Sequence, residues 1–165
     1  MPESDTDSDF VDRDAAPARG RVAVGSDERT TSTDAAVEHL RSRGYDVTAA
    51  GPLADRPADW VQVAEEVGRA VAEGRAETAV LFCYTGTGAS MAVNKVPGVR
   101  GALCVDAETA RGARRWNDAN VLALSLRATS QAELEEILDN WFAGEPSPDP
   151  DDRANVEHLG EIERG

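Results

Sequence analysis

The densest run of reactive residue types is Cys83-Tyr-Thr-Gly-Thr-Gly-Ala-Ser90. A cysteine closes an apolar stretch, and Thr85, Gly86, Thr87, Gly88, Ala89 and Ser90 lead into what reads as a helix. Glycine at 86 and 88 lets backbone N–H groups converge on a ligand oxygen, and the helix start adds a potential favouring negative charge. That potential is expected to lower the pKa of Cys83 below the free-thiol value of about 8.5 and raise its thiolate fraction. A thiolate beside such an anion hole is equipped to take a proton from a carbon next to a carbonyl and to hold the resulting enediolate. The same residues also fit a small core cysteine at a strand end, followed by a turn that binds phosphate or nothing. No Walker-type lysine follows the glycines, and their spacing is not the dinucleotide fingerprint, so a nucleotide is weakly supported.

The elements that must position this loop alternate along the chain. Arg21 to Gly25 reads as a buried strand, and Thr33 to Arg43 as a helix with Ala36, Val37 and Leu40 on one face, stopped by Gly44. Tyr45 to Gly51 is the next strand, and Asp59 is a fair N-cap for a helix over Trp60–Gly74 with Val63, Val67, Ala70 and Val71 in a stripe. The run Thr78–Cys83 is apolar throughout, the mark of a central strand covered on both faces. A helix over Gly86–Lys95, a strand over Val99–Val105, a helix over Ala107–Trp116 and a strand over Val121–Leu126 follow, and Ser130 caps a helix over Gln131–Phe142. Five strands alternating with helices predict a single-domain α/β fold, a three-layer αβα sandwich around a parallel, Rossmann-like sheet.

The ends of the chain read differently. Residues 1–20 are acidic, poor in apolar side chains and carry Pro2 and Pro17, so they are expected to form a disordered extension. Residues 21–143 form the α/β unit, and 144–165 a Pro/Asp-rich linker and tail in which Glu145–Asp152 breaks the pattern before a short helix near Ala154–Ile162. In an open parallel sheet, ligands bind beyond the carboxyl ends of the strands. Three of those ends are chemically loaded: Asp27-Glu28 after the first strand, the Cys83 loop after the third and Arg127 after the fifth.

Composition narrows the function. The 165 residues carry 31 acidic and 17 basic side chains, a net charge of −14, and Lys95 is the only lysine. A chain repelled by phosphates lacks the counterion-release term that drives nucleic-acid binding, and anionic membranes are disfavoured for the same reason. No window approaches the roughly 20 apolar residues of a membrane span. Two cysteines are too few for a disulfide scaffold, and no secretory signal is visible, so a reduced, cytoplasmic setting is expected. The excess of carboxylates over lysine suggests a halophilic-type surface, adapted to concentrated salt. His39 and His158 have no partner at ligand spacing and read as surface helix positions, so no metal site is expected, while Cys104 reads as a core thiol.

Two segments together carry a resemblance. Cys83–Cys104 and the run Arg114-Arg-Trp-Asn-Asp-Ala-Asn-Val-Leu-Ala-Leu-Ser-Leu-Arg127 resemble the ribose-5-phosphate isomerase B family, which includes the galactose-6-phosphate isomerase subunits; the likeness extends from about Arg21 to Phe142. It implies an aldose–ketose isomerase without a metal or other cofactor, a homodimer or homotetramer whose active site draws on two subunits. It further implies that Cys83 shuttles the proton between C1 and C2 and that Thr85 assists at the oxygens. The backbone from Gly86 to Ser90 would bind the enediolate, Asn117 the sugar, Arg127 a phosphate and Asp27 the sugar hydroxyls.

Departures from that pattern bear on the substrate. Where the family has Asp-His after the first strand, this chain has Asp27-Glu28; Trp116 replaces the histidine associated with ring opening; an Asp-Tyr pair becomes Asp59-Trp60. Of the C-terminal arginines that grip phosphate, only Arg153 could stand in. Tryptophan transfers no proton at neutral pH, which leaves Glu28 as the nearest substitute if a partly buried cleft raises its pKa; a solvated loop carboxylate is the alternative. Trp60 and Trp116 fit an apolar wall against a sugar face, or core and interface positions. The reading is a sugar-phosphate isomerase working through a cis-enediolate. The alternatives are an isomerase of a non-phosphorylated, carboxylated or open-chain tetrose-type sugar, or a non-catalytic sugar-binding relative.

Overall fold

The computed structural model describes residues 18–165. Most of the acidic extension expected over residues 1–20 therefore lies outside the described residues. The elements are β1 (Arg21–Ser26), α1 (Thr31–Ser42), β2 (Asp46–Ala50), α2 (Trp60–Ala72), β3 (Thr78–Cys83), α3 (Thr87–Val93), β4 (Gly101–Leu103), α4 (Ala107–Asn117), β5 (Val121–Ser125), α5 (Gln131–Ala143) and α6 (Pro150–Arg164), with one 3-10 turn at Gly51–Ala54. All strands pair in parallel in the order β2-β1-β3-β5-β4, which bears out the α/β sandwich.

The sheet is apolar on both faces because helices cover both. Val22, Val24, Phe82, Leu122 and Leu124 pack against Ala36 and Leu40 of α1, Ala110 and Ala113 of α4, and Leu134, Ile137, Leu138 and Trp141 of α5. The opposite face, through Ala23, Leu81, Cys83 and Val121, meets Val63, Ala64 and Val67 of α2 and Ala89 and Val93 of α3. Trp141, the bulkiest fully buried side chain, satisfies its indole N–H on Thr78 Oγ1 at 3.0 Å, so its burial leaves no orphan donor. Connections toward the β2 edge carry helices on the first face and those toward the β4 edge on the second, as a uniform crossover hand requires.

Four local features depart from the sequence reading. α1 begins at Thr31 because Thr30 and Thr33 form a reciprocal capping box. β4 has three residues, not the seven from Val99 to Val105: it is an edge strand whose flanks bond to the side chains of Asn120 and Asn94. α6 starts within the proline-rich stretch and is longer than Ala154–Ile162, since Pro150 at the first helical position needs no N–H partner and Asp149 caps it. His39 is no surface residue: its side chain, 11% exposed, bonds Asp139 at 2.8 Å and ties α1 to α5.

Candidate active site

β1 and β3 are neighbours, and the chain leaves them toward opposite faces, into α1 from the first and α3 from the second. Their C-terminal ends therefore border a topological switch point, where a crevice must open. Ser26 pairs with Phe82 in the register, so Asp27 and Cys83 emerge side by side.

Cys83 is buried, 6% exposed, and its Sγ accepts the Gly86 N–H at 3.1 Å. The turn between them is possible because Gly86 adopts φ +78°; a Cβ there would stand 2.6 Å from Leu103 Cδ1 and 3.0 Å from the Leu124 carbonyl carbon. Gly86 is the N-cap of α3 and supplies no side-chain cap, and the first helical bond is Ser90 N–H to Gly86 O at 3.1 Å. The N–H groups of Thr87, Gly88 and Ala89, in the first turn of α3, thus have no acceptor within the helix. Thr85 and Thr87, both exposed, join hydroxyls at 2.8 Å.

The loop is fastened to β5. Leu126 N–H reaches Cys83 O at 3.0 Å, Arg127 N–H reaches Tyr84 O at 3.0 Å, and the buried Ser125 hydroxyl donates to Tyr84 O at 3.1 Å. Arg127 is exposed on the same rim. Ser125 was missed by sequence reasoning, although a hydroxyl closing an otherwise apolar strand is a visible signal. Asn94 went unnoticed in the sequence; its amide bonds Ser90 O, Gly101 O and Gly101 N–H at 2.9 Å each and locks α3 to β4.

On the other side of the crevice an open cleft of about 650 Å³ is lined by Asp27, Asp55, Arg56, Asp59 and Gln62. Burial, and then the charges of Glu28 and Asp59, raise the Asp27 carboxyl above its ordinary pKa, while a backbone hydrogen bond at Asp27 pulls the other way. Glu28 is not in a partly buried cleft: it is exposed, and its backbone is held by Ser26 Oγ. Burial pushes the Cys104 thiol up to about 12, which suits the expected core role. Among the described residues no group of three or more His, Cys, Asp or Glu side chains could hold a metal ion.

Asn117, Trp116 and Arg153 stand elsewhere. α4 runs back along the sheet and ends at Asn117, and Asn120 O accepts the Ala79 N–H at the start of β3. Cys83 pairs with Ser125 at the far end of the ladder, and the five residues of β5 span roughly 16 Å. Trp116 and Arg153 line a cleft of about 240 Å³ between α4 and α6 with Arg115, and Asn117 lines the adjoining groove under α6. One chain therefore brings together Cys83, Thr85, the amides of residues 86–90, Asp27, Glu28 and Arg127, and keeps Trp116, Asn117 and Arg153 at the opposite end of the sheet. Trp60 lies against Gly88 at the start of α3 and borders an apolar groove with Val61 and Met91.

Among known proteins, the profile of the ribose/galactose isomerase family matches residues 22–159. Ribose-5-phosphate isomerase B of Escherichia coli is 35% identical over 109 residues, 66% of this chain and 73% of that protein. D-erythrulose-4-phosphate isomerase of Pectobacterium atrosepticum is 32% identical over 131 residues, 75% of this chain and 83% of the relative. The solved structure of Clostridium thermocellum ribose-5-phosphate isomerase B superposes with a TM-score of 0.82 at 32% identity, covering 87% of this chain and 97% of that one.

Proposed function

The chain belongs to the ribose/galactose isomerase family, and we propose that it interconverts an aldose and a ketose sugar phosphate with Cys83 as the base. The observation that carries this reading is the loop after β3, where the Gly86 N–H donates to Sγ and the next three amides, in the first turn of α3, have no acceptor within the helix. With an open-chain aldose bound, the thiolate takes the proton from C2. The electron pair forms the C1–C2 double bond, and the charge collects on O1, where the amides of Thr87, Gly88 and Ala89 meet it. Sγ returns the proton to C1 as the C2–O2 carbonyl forms. The proton lost from O2 passes to O1 through the hydroxyl pair of Thr85 and Thr87.

A second copy completes the site. Asn117, Trp116 and Arg153 lie at the wrong end of their own sheet to meet the substrate at Cys83, and a two-fold dimer would supply them from the partner twice over. Arg127 takes the anionic end from the same chain as Cys83. The working setting in this reading is a reducing cytoplasm, which would keep Cys83 and Cys104 as thiols.

The substrate in this reading is short and open. Trp116 gives no proton at neutral pH and Glu28 is solvated, so Asp27, with its raised pKa, is the carboxyl suited to acid–base work at the sugar oxygens. A tetrose 4-phosphate cannot close a furanose because its O4 is esterified, and it needs no ring-opening histidine. The similarity to D-erythrulose-4-phosphate isomerase supports the same choice.

The test combines Cys83→Ala with a substrate panel. Solvent deuterium exchange at C2 and net isomerisation should both fall by at least about 10²-fold in Cys83→Ala, and retention of most activity would refute the base. Wild type should show a higher kcat/KM for erythrulose 4-phosphate than for ribose 5-phosphate. A strong preference for ribose 5-phosphate, unimpaired in Glu28→Gln and Asp27→Asn, would defeat the open-chain reading.

A further inference from the structure

α3 carries the amide cradle, yet it is only seven residues long and has no side-chain cap to set the direction of its first turn. Besides the Asn94 tie to β4, α2 packs against it at two points. At one, Gly68 lets the helices approach closely, for a Cβ there would stand 3.0 Å from Val96 Cγ2 and 3.1 Å from Val93 Cγ2. At the other, a Cβ on Gly88 would stand 3.1, 3.2 and 3.4 Å from Cε3, Cζ3 and Cδ2 of Trp60. Near-equal distances to three bonded ring atoms place Gly88 over the face of the indole, since an edge-on approach would leave two of the three markedly farther. Trp60 and Gly68 are separated by about 12 Å along α2, and Gly88 and Val96 by the same number of residues.

Trp60 opens α2 directly after Asp59, whose capping box with Gln62 fixes the helix start. The residue is 41% exposed, and the six-membered part of its ring is the part that lies against Gly88. Asn94 ties the far end of α3 to β4 and the Thr85–Thr87 hydroxyl pair braces the loop before it, but against the Gly88 backbone itself the packing group is the Trp60 ring.

We propose that Trp60 is a positioning residue: it presses on Gly88 and aims the N–H groups of Thr87, Gly88 and Ala89 at the enediolate oxygen. The inference rests on the Cys83 reading and adds to it the group that sets the cradle. Because the cradle meets charge that exists only as the enediolate forms, a misaimed cradle lowers kcat and leaves substrate binding nearly intact.

Kinetics and analogue binding of Trp60→Ala, Trp60→Phe, Gly88→Ala and the Trp60→Ala/Gly88→Ala double variant test the assignment, with a planar hydroxamate analogue of the enediolate as the probe. Trp60→Ala should lose about tenfold or more in kcat with KM within about twofold, and should bind the hydroxamate about tenfold more weakly. Trp60→Phe, which keeps a ring over Gly88, should recover at least about half of the wild-type kcat and reports on the role even if Trp60→Ala folds poorly. Gly88→Ala pushes the ring away and should resemble Trp60→Ala, and in the double variant the two losses should not multiply. Wild-type kcat in Trp60→Ala, a rise in KM alone, no rescue by Phe, or fully multiplicative losses would each overturn the assignment. An inactive Cys83→Ala alongside a fully active Trp60→Ala would sink this inference and spare the base; an active Cys83→Ala would sink the base itself.

Discussion

Gly86→Ala isolates the backbone geometry on which the loop depends. The residue holds φ +78°, and an L side chain in that region costs about 1–2 kcal/mol. Its Cβ would also press on Leu103 Cδ1 at 2.6 Å, which can rotate away, and on the Leu124 carbonyl carbon and oxygen at 3.0 and 3.1 Å, which belong to the β5 backbone and cannot. Overpacking of that kind adds about 1–3 kcal/mol, for a total of about 2–5 kcal/mol. Gly74 is the matched control: φ is +76° and no atom lies within 4 Å of the added Cβ, so Gly74→Ala carries the dihedral cost alone. For a chain of this size each kcal/mol moves Tm by about 2–4 °C, so calorimetry should place Gly86→Ala about 2–12 °C below Gly74→Ala. Activity should separate them further. Gly86→Ala displaces the N–H that meets Cys83 Sγ and the three amides after it, and losing one such donor costs about 10²–10³ in kcat. Gly74→Ala should keep wild-type kcat. A Gly86→Ala protein as stable and as active as Gly74→Ala would refute both the steric argument and the role of the loop.

Mixing supplies a test of the shared site: Cys83→Ala and Asn117→Ala, each inactive alone, should regain up to about a quarter of wild-type activity per site when co-refolded, and light scattering should give at least twice the 17.6 kDa chain mass. A fully active monomer, or no complementation, would place the whole site in one chain. Asp27 has a folded-state pKa raised first by burial and then by Glu28 and Asp59, so its ionised form opposes folding; the contribution favouring the fold is present at low pH and is lost as pH rises through the raised value. Asp27→Asn should therefore raise Tm at neutral pH, with the gain vanishing as pH falls into the ordinary carboxylate range, and an equal gain at every pH would contradict the cause assigned. With a net charge of −14, Tm should rise from about 0.1 M to about 3 M KCl as self-repulsion is screened, and a flat profile would remove the argument for a salt-adapted surface.

Much of the architecture was legible in the sequence because it is set by periodicity and punctuation. The unbroken apolar run at Thr78–Cys83 read as a doubly covered central strand, the stripe of Val63, Val67 and Ala70 as a helix face, and Ser130 and Asp59 as caps, and the structure has all of them. The Cys83 loop was legible for the same reason, since glycines after a strand-closing cysteine are local signals. Three things were not local. Glu28 and Asp27 are adjacent letters, yet only the packing of the crevice decides that one is solvated and the other has its pKa raised. Trp60 reads as wall, core or interface until α2 is laid beside α3 and its ring falls on Gly88. The separation of Asn117, Trp116 and Arg153 from Cys83 follows from the direction in which α4 returns along the sheet, a property of the topology that no spacing along the chain encodes.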